Sequence, residues 1–510
     1  MKLLSQVISK IARLRSWRIE NWTNYPVIAQ REVLQDLVTS AQYTLFGKKY
    51  NFSKTFSLKE FKKNVPIHEY QDLLPYINRM MRGEQNILWN SPVSWFAKSS
   101  GTTSEKSKFI PISDESLQYN HFKASKDVLT NYYKNFPDSN LLTGKSLVVG
   151  GSHQISNISD EIQFGDLSAV LMQNSPYWGQ WIRTPELSIA LLDDWKDKLE
   201  MIAKTTADEN VTSLAGVPTW TILLLKRILE IKGKNSIIEV WPNLELYITG
   251  GVSFVPYREQ FEKIIGAPIR YLEIYNASEG FIAGQDKPGD EGLTLFTEHG
   301  IFYEFMPVEE HKKPHPKTVG LAEVQKGKNY ALVISTMGGL WRYLIGDTVQ
   351  FTSTNPYRIK ITGRLKHYMN AFGEEIIVDN ADKAIAVASH KTNSVVVDYT
   401  AAPVYFTNHT NGCHEWLIEF SKPPADIKKF IVELDNSLKE VNSDYEAKRQ
   451  GSIALRLPIV HAVPEGTFSK WLTSINKMGG QHKVPRLSNE RKFIEQILSL
   501  VKENIDETPS

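Results

Sequence analysis

Ile269-Arg270-Tyr271-Leu272-Glu273-Ile274-Tyr275-Asn276-Ala277-Ser278-Glu279-Gly280 reads as an apolar β-run that breaks into a short polar turn. In α/β folds the carboxyl end of a strand is where ligands sit, so the polar residues after Ile274 mark a candidate site. The alternative is an ordinary strand-terminating turn. Around this run, from 145 to 350, short β-rich segments alternate with helical ones. Strands are expected at Ser146–Val149, Leu244–Ile248, Gly292–Phe296, Ile301–Met306 and Tyr330–Ser335, and helices at Ile189–Ala203 and Thr219–Ile231. Strands separated by helices of about 10–15 residues predict a layered α/β core, with antiparallel hairpins after 290. Residues 27–83 read as helical, with breaks at Pro66 and Pro75.

The rhythm changes past Gly363. Strands at 394–400, 415–420 and 452–460 and helices at 425–440 and 488–503 form an α+β pattern of domain size. The expectation is a large layered α/β domain over residues 1–363 and a smaller, mobile α+β cap over 364–510. Length supports the division, because a single hydrophobic core stops growing well before 510 residues.

Composition excludes several classes. With 59 Lys+Arg against 57 Asp+Glu, the chain has no basic excess to displace counterions from a nucleic acid. A single cysteine, Cys413, permits no internal disulfide and no Cys-rich zinc site, which favours a reducing, cytoplasmic setting. Residues 1–18 carry five basic and no acidic residues, with Leu3, Leu4, Val7, Ile8, Ile11 and Leu14 at helical spacing. Polar interruptions rule out a signal peptide, and the expected use of this stripe is packing on the protein's own core. No run approaches the ~20 apolar residues of a membrane span.

Three strings carry chemistry. Ser99-Ser100-Gly101-Thr102-Thr103-Ser104-Glu105-Lys106-Ser107-Lys108 places hydroxyls, a glycine and two cations where phosphate oxygens could be held, although a solvated turn has the same composition. It is not a Walker A loop, since the second glycine would fall at Lys106. In Tyr275-Asn276-Ala277-Ser278-Glu279-Gly280 the tyrosine can stack on a purine, and Ser278 and Glu279 offer oxygens suited to Mg²⁺. In Tyr343-Leu344-Ile345-Gly346-Asp347 an aspartate behind a glycine can accept from both ribose hydroxyls. His311 and His315 have metal-like spacing, but Pro314 disfavours a helix through them. His409, Cys413 and His414 read as a solvent-exposed hairpin turn around Asn411-Gly412.

Taken in order, the three strings resemble those of the acyl-adenylate-forming superfamily that includes firefly luciferase and acyl-CoA synthetases. The likeness is greatest to its acyl acid amido synthetases, the plant auxin-responsive-promoter family, marked by SSGT[ST]xGxx[KR], YxxSE and YRxGD. Two later strings are similar as well. Thr362-Gly363-Arg364-Leu365-Lys366 with Asn370–Glu375 resembles the superfamily's hinge, and Lys483-Val484-Pro485-Arg486 its late Lys-x-Pro-Arg string. The sequence departs from the pattern at Glu105, where the family has glycine, and at Leu344, where it has arginine.

The resemblance implies ATP and Mg²⁺ as cofactors and a small carboxylic acid and an amino acid as substrates, joined by a monomeric, ATP-dependent ligase with no nucleic-acid partner and no membrane insertion. It assigns Ser99, Ser100, Gly101, Thr102, Thr103 and Lys108 to the phosphates, Tyr275 to adenine, Asp347 to the ribose, Arg364 to ribose or phosphate, and Ser278 with Glu279 to the metal. Lys483, Arg364 and Lys108 become the catalytic cations. Candidate acid-pocket lining is Val217–Trp220, Thr249–Val252, Met172, Tyr177 and Trp178. Two alternatives remain open: transfer of the acyl group to coenzyme A, and a nucleotide-binding regulator that has lost catalysis.

Overall fold

The computed structural model describes residues 14–55, 57–99, 108–150, 155–159, 161–192, 195–251, 254–311, 313–365, 368–369, 374, 376–404, 412–442, 445–446, 449, 455–475, 484–488 and 490–506. In chain order the strands of the N-terminal part are β1 (Trp95–Ser99), β2 (Lys108–Ile112), β3 (Lys145–Val149), β4 (Ser156–Asn157), β5 (Gln163–Gly165), β6 (Arg183–Thr184), β7 (Val211–Gly216), β8 (Leu246–Gly250) and β9 (Arg270–Ala277). They continue with β10 (Gly280–Gly284), β11 (Leu293–Leu295), β12 (Ile301–Pro307), β13 (Asn329–Thr336), β14 (Tyr343–Thr354) and β15 (Tyr357–Arg364). Eleven of them form one sheet in the order β12-β13-β14-β15-β11-β10-β9-β8-β7-β3-β6. From β6 to β9 the pairing is parallel, and from β9 outward it is antiparallel. The expected α/β core and the hairpins after 290 are therefore both present.

The quoted run supplies the strand at which the two halves meet. Its turn into β10 depends on Gly280, whose φ of +155° suits glycine and whose Cβ would lie 2.5 Å from Ile301 Cδ1. Apolar residues of the parallel half pack with helices Trp195–Thr206, Pro218–Lys232 and Arg258–Ile265 into one core. The antiparallel half packs against helices Pro26–Ala41 and Tyr70–Met80 in another. Trp341 is fully buried there, stacked on Phe46 at 6.0 Å, with its indole N–H donated to Leu88 O at 3.0 Å. Removing such a ring costs roughly 3–5 kcal/mol, so the segment leading into β14 is firmly anchored.

After residue 368 the strands are β16 (Tyr368–Met369), β17 (Ile376–Ile377), β18 (Val395–Val404), β19 (Cys413–Lys422) and β20 (Ile459–Val463), with helices Val378–Thr392, Ile427–Val441, Thr467–Ser474 and Lys492–Asp506. Their two apolar clusters contain no residue before Met369. The fold is thus a large N-terminal α/β domain with a smaller C-terminal one.

Several local expectations need correction. The helix expected over Ile189–Ala203 is two pieces, Leu187–Ala190 and Trp195–Thr206. Cys413 and His414 do not lie on an exposed turn: both are buried on β19, where His414 Nε2 pairs with the buried Glu374 at 2.9 Å. Of the N-terminal apolar stripe, Leu3, Leu4, Val7, Ile8 and Ile11 lie outside the described residues; Leu14 is 71% exposed, while Ile19 and Trp22 of the same helix pack into the core and Arg15 pairs with Asp127 at 2.5 Å. The four-stranded sheet β2-β1-β5-β4 was not foreseen.

Candidate active site

Asp347 sits on β14 directly opposite Arg364 on β15, a register that puts the two side chains within reach of each other. Gly346, at φ +92°, turns the chain just before it. Arg364 Nε donates to Asp347 Oδ1 at 2.6 Å, and Tyr275 Oη, reaching across from β9, donates to Oδ2 at 2.5 Å. A single buried carboxylate therefore links the second and third sequence strings and the start of the hinge string.

Electrostatics follow from this burial. The Asp347 carboxylate raises the Arg364 guanidinium further above its usual range. Burial, aided by the Asp347 charge, pushes the Tyr275 hydroxyl well up, so it remains a donor. Glu279 is raised chiefly by burial and then by the Asp347 charge, with Lys108 and Arg364 acting in the opposite direction. His121 Nδ1 meets Asn276 Oδ1 at 3.0 Å, and burial pushes the imidazole down to about 4. It is neutral at physiological pH.

Lys108 opens β2 and pairs with Ser99 at the end of β1, so the hydroxyl-rich string leaves and rejoins this small sheet at adjacent points. Lys108 Nζ donates to Tyr343 Oη at 3.5 Å and lies 5.6 Å from the Tyr70 ring centre. Lys108, Tyr275, Ser278, Glu279, Asp347 and Arg364 all line one cavity of about 1360 Å³. That exceeds the roughly 300–1,000 Å³ of ordinary ligand pockets and suits a nucleotide together with a second substrate. Met172, Val217, Trp220, Gly250 and Gly251 of the expected acid pocket line the same cavity. Ser100, Gly101, Thr102, Thr103, Glu105, Lys366 and Lys483 lie outside the described residues, as do the side chains of Ser99, Tyr177 and Trp178.

Two features escaped the sequence reading. Arg342, just before Tyr343, adopts φ +44° and is buried in a two-point pair with Glu304, at 2.8 and 2.9 Å, while donating to Val65 O at 2.6 Å. Nothing in the sequence marks an arginine for the left-handed region. Second, Arg486 of the late string reaches back to the N-terminal domain. Its Nη2 donates to Tyr257 Oη at 3.1 Å, while Nη1 pairs with Asp382 and the guanidinium lies 4.9 Å from the Tyr399 ring centre. The cavity consequently has walls from both domains.

Family models match along the chain: the GH3 family N-terminal domain at residues 15–269, half of the chain, the central domain at 294–364 and the C-terminal domain at 379–492. The chain belongs to the GH3 family. An indole-3-acetic acid-amido synthetase GH3.3 of Arabidopsis thaliana is 23% identical over 95% of this chain and 93% of its own. The solved GH3.15 acyl acid amido synthetase in complex with 2,4-DB superposes with a TM-score of 0.79 at 19% identity, covering 96% of both chains. A 2-hydroxyisobutyryl-CoA ligase in its postadenylation state superposes at 0.59 and 12% identity, over 93% of this chain and 91% of that one. At these identities the superpositions establish a fold, the one GH3 proteins share with adenylate-forming enzymes. The resemblance carried by the three ordered strings is thus borne out at the level of family and fold.

Proposed function

We propose that this GH3-family chain is a ligase that activates a small carboxylic acid with ATP as an acyl-adenylate and then joins the acyl group to an amino acid. The observation that supports it best is the Tyr275–Asp347–Arg364 constellation, set beside Lys108 and Glu279 in one large cavity. The first step opposes a carboxylate to a triphosphate, so preorganised cations and donors dominate its barrier. In this reading Lys108 supplies positive charge at the phosphates with the hydroxyls of Ser100, Thr102 and Thr103, and Lys483 approaches the α-phosphate. Each Asp347 oxygen accepts one bond within the protein and keeps a lone pair for a ribose hydroxyl. Tyr275 is only 5% exposed, so it acts mainly by orienting Asp347 beside the adenine.

The acid's carboxylate oxygen bonds to the α-phosphorus as pyrophosphate leaves. The amine nitrogen then bonds to the acyl carbon, AMP departs and the amine loses a proton. The residues also fit a magnesium ion. Among the described residues no side chain donates to the Glu279 carboxylate, and Mg²⁺ characteristically takes one or two carboxylates and completes its shell with phosphates and water. Glu279 with Ser278 would hold it, and when bound it would neutralise phosphate charge.

We place the domain seam at 363/364, one residue before β15 ends at Arg364. Rotation there would exchange a pyrophosphate exit for an amine entrance. The buried, single Cys413 supports a cytoplasmic setting. No helix among the described residues is long and apolar enough to cross a membrane. The test is acid-dependent exchange of labelled pyrophosphate into ATP, followed by mass spectrometry of products formed with amino acids or coenzyme A. An amide with AMP supports the reading, and a thioester would replace its second step.

A further inference from the structure

The apolar residues Leu171, Met172, Val217, Trp220 and Leu223 line part of the cavity. Arg183, on β6, lines the same cavity next to Met172. One guanidinium nitrogen, Nη1, donates to Met172 O at 3.2 Å, but Nε is enclosed and has no hydrogen-bond partner. Among the described residues no carboxylate pairs with it, and burial alone lowers its affinity for its proton. Of the described lining residues between 146 and 226, Arg183 and Lys226 are the charged ones, and none is acidic. A half-buried guanidinium with no carboxylate partner among the described residues is costly unless a ligand supplies the opposite charge.

We propose that Arg183 binds a second anionic group, a carboxylate, carried by the acyl acid at the end remote from the carboxylate that is activated. This rests on the ligase reading above. Position excludes the reacting carboxylate itself: β6 lies four strands from β9 in the sheet, about 19 Å at ~4.8 Å per strand, whereas the reacting group must sit among Lys108, Glu279 and Arg364. The amino acid's α-carboxylate is excluded by the same distance, because it stands one carbon from the nitrogen that attacks the acyl carbon. The apolar walls between fit the connecting chain or ring of an extended diacid.

The experiment compares matched monocarboxylic and dicarboxylic acids, aliphatic and aromatic, in pyrophosphate exchange by the full-length protein and its Arg183→Gln and Arg183→Lys variants. A diacid preference is expected in the wild type. Arg183→Gln should raise the KM for the diacid about 10- to 100-fold, the worth of a charge-assisted hydrogen bond, and Arg183→Lys should recover part of the loss. A wild type with no diacid preference, or an Arg183→Gln variant whose KM for the diacid is unchanged, overturns the proposal. Melting temperatures of wild type and Arg183→Gln with each dicarboxylate, without ATP, are measured in parallel. Should exchange be silent with every acid, the ligase reading fails, while a diacid-induced upshift lost in Arg183→Gln still upholds the anion site and its absence still refutes it.

Discussion

Replacing Asp347 by asparagine tests the nucleotide assignment at its most connected atom. The carboxylate accepts from Tyr275 at 2.5 Å and from Arg364 at 2.6 Å and is 7% exposed as a residue. Asparagine keeps the shape and one acceptor but turns the other oxygen into a donor facing an arginine that can only donate. A hydrogen bond to a charged group is worth about 1.5–3 kcal/mol. The Arg364 side chain is 47% exposed and can recover much of its loss from water, so the stability cost should stay near the lower figure. Two ribose hydroxyls lose a charged acceptor, so ATP affinity should fall by about 3 kcal/mol, roughly 100-fold. The assay is calorimetric binding of ATP and of 2′,3′-dideoxy-ATP to wild type and variant, with melting temperature followed in parallel. Wild type should bind the dideoxy nucleotide far more weakly than ATP, and Asp347→Asn should bind the two alike. A variant that discriminates between them as strongly as wild type refutes the ribose assignment, whatever its stability.

Other outcomes follow from the same geometry. Burial raises Glu279, and its carboxylate must be ionised for a cation to bind, so Mg²⁺ activation should weaken as pH falls through its raised titration range. Glu279→Gln should flatten that pH dependence in a magnesium titration of exchange activity. Arg342→Met strands the buried Glu304 carboxylate and should cost about 3–5 kcal/mol in urea unfolding, with little change in the ATP affinity of the folded fraction. Asp398 is raised by burial from 3.8 to about 6, so the folded state holds a proton that the unfolded chain has lost between those values, and stability falls as pH rises through this window. Asp398→Asn should therefore gain stability relative to wild type between pH 4 and pH 7, by at most about 3 kcal/mol, read as Tm against pH.

The parallel half of the sheet was legible because its strands are short apolar runs between long helical patterns, and the run at 269–274 forms β9, whose carboxyl end lines the cavity. The strings that gather around Asp347 were legible because each combines small, hydroxyl and acidic residues with glycine. What escaped notice depends on tertiary context. Arg342 looks like any basic residue until Glu304, 38 positions away, is folded against it. His414 and Cys413 lie beside an Asn-Gly turn signal, yet β19 is covered on both faces, and burial overrides the local polarity. Arg183 occupies a two-residue strand too short for any periodicity to register.

The central claim is adenylation followed by amide formation, and one measurement reaches both steps: incubation of the protein with ATP, Mg²⁺, a panel of carboxylic acids and the proteinogenic amino acids, with mass spectrometric counting of amide, AMP and pyrophosphate. The account predicts an amide formed from at least one acid–amino acid pair, in step with equal amounts of AMP and pyrophosphate and abolished by omission of the acid. ATP that binds to the protein but yields neither pyrophosphate exchange nor amide with any acid would contradict it.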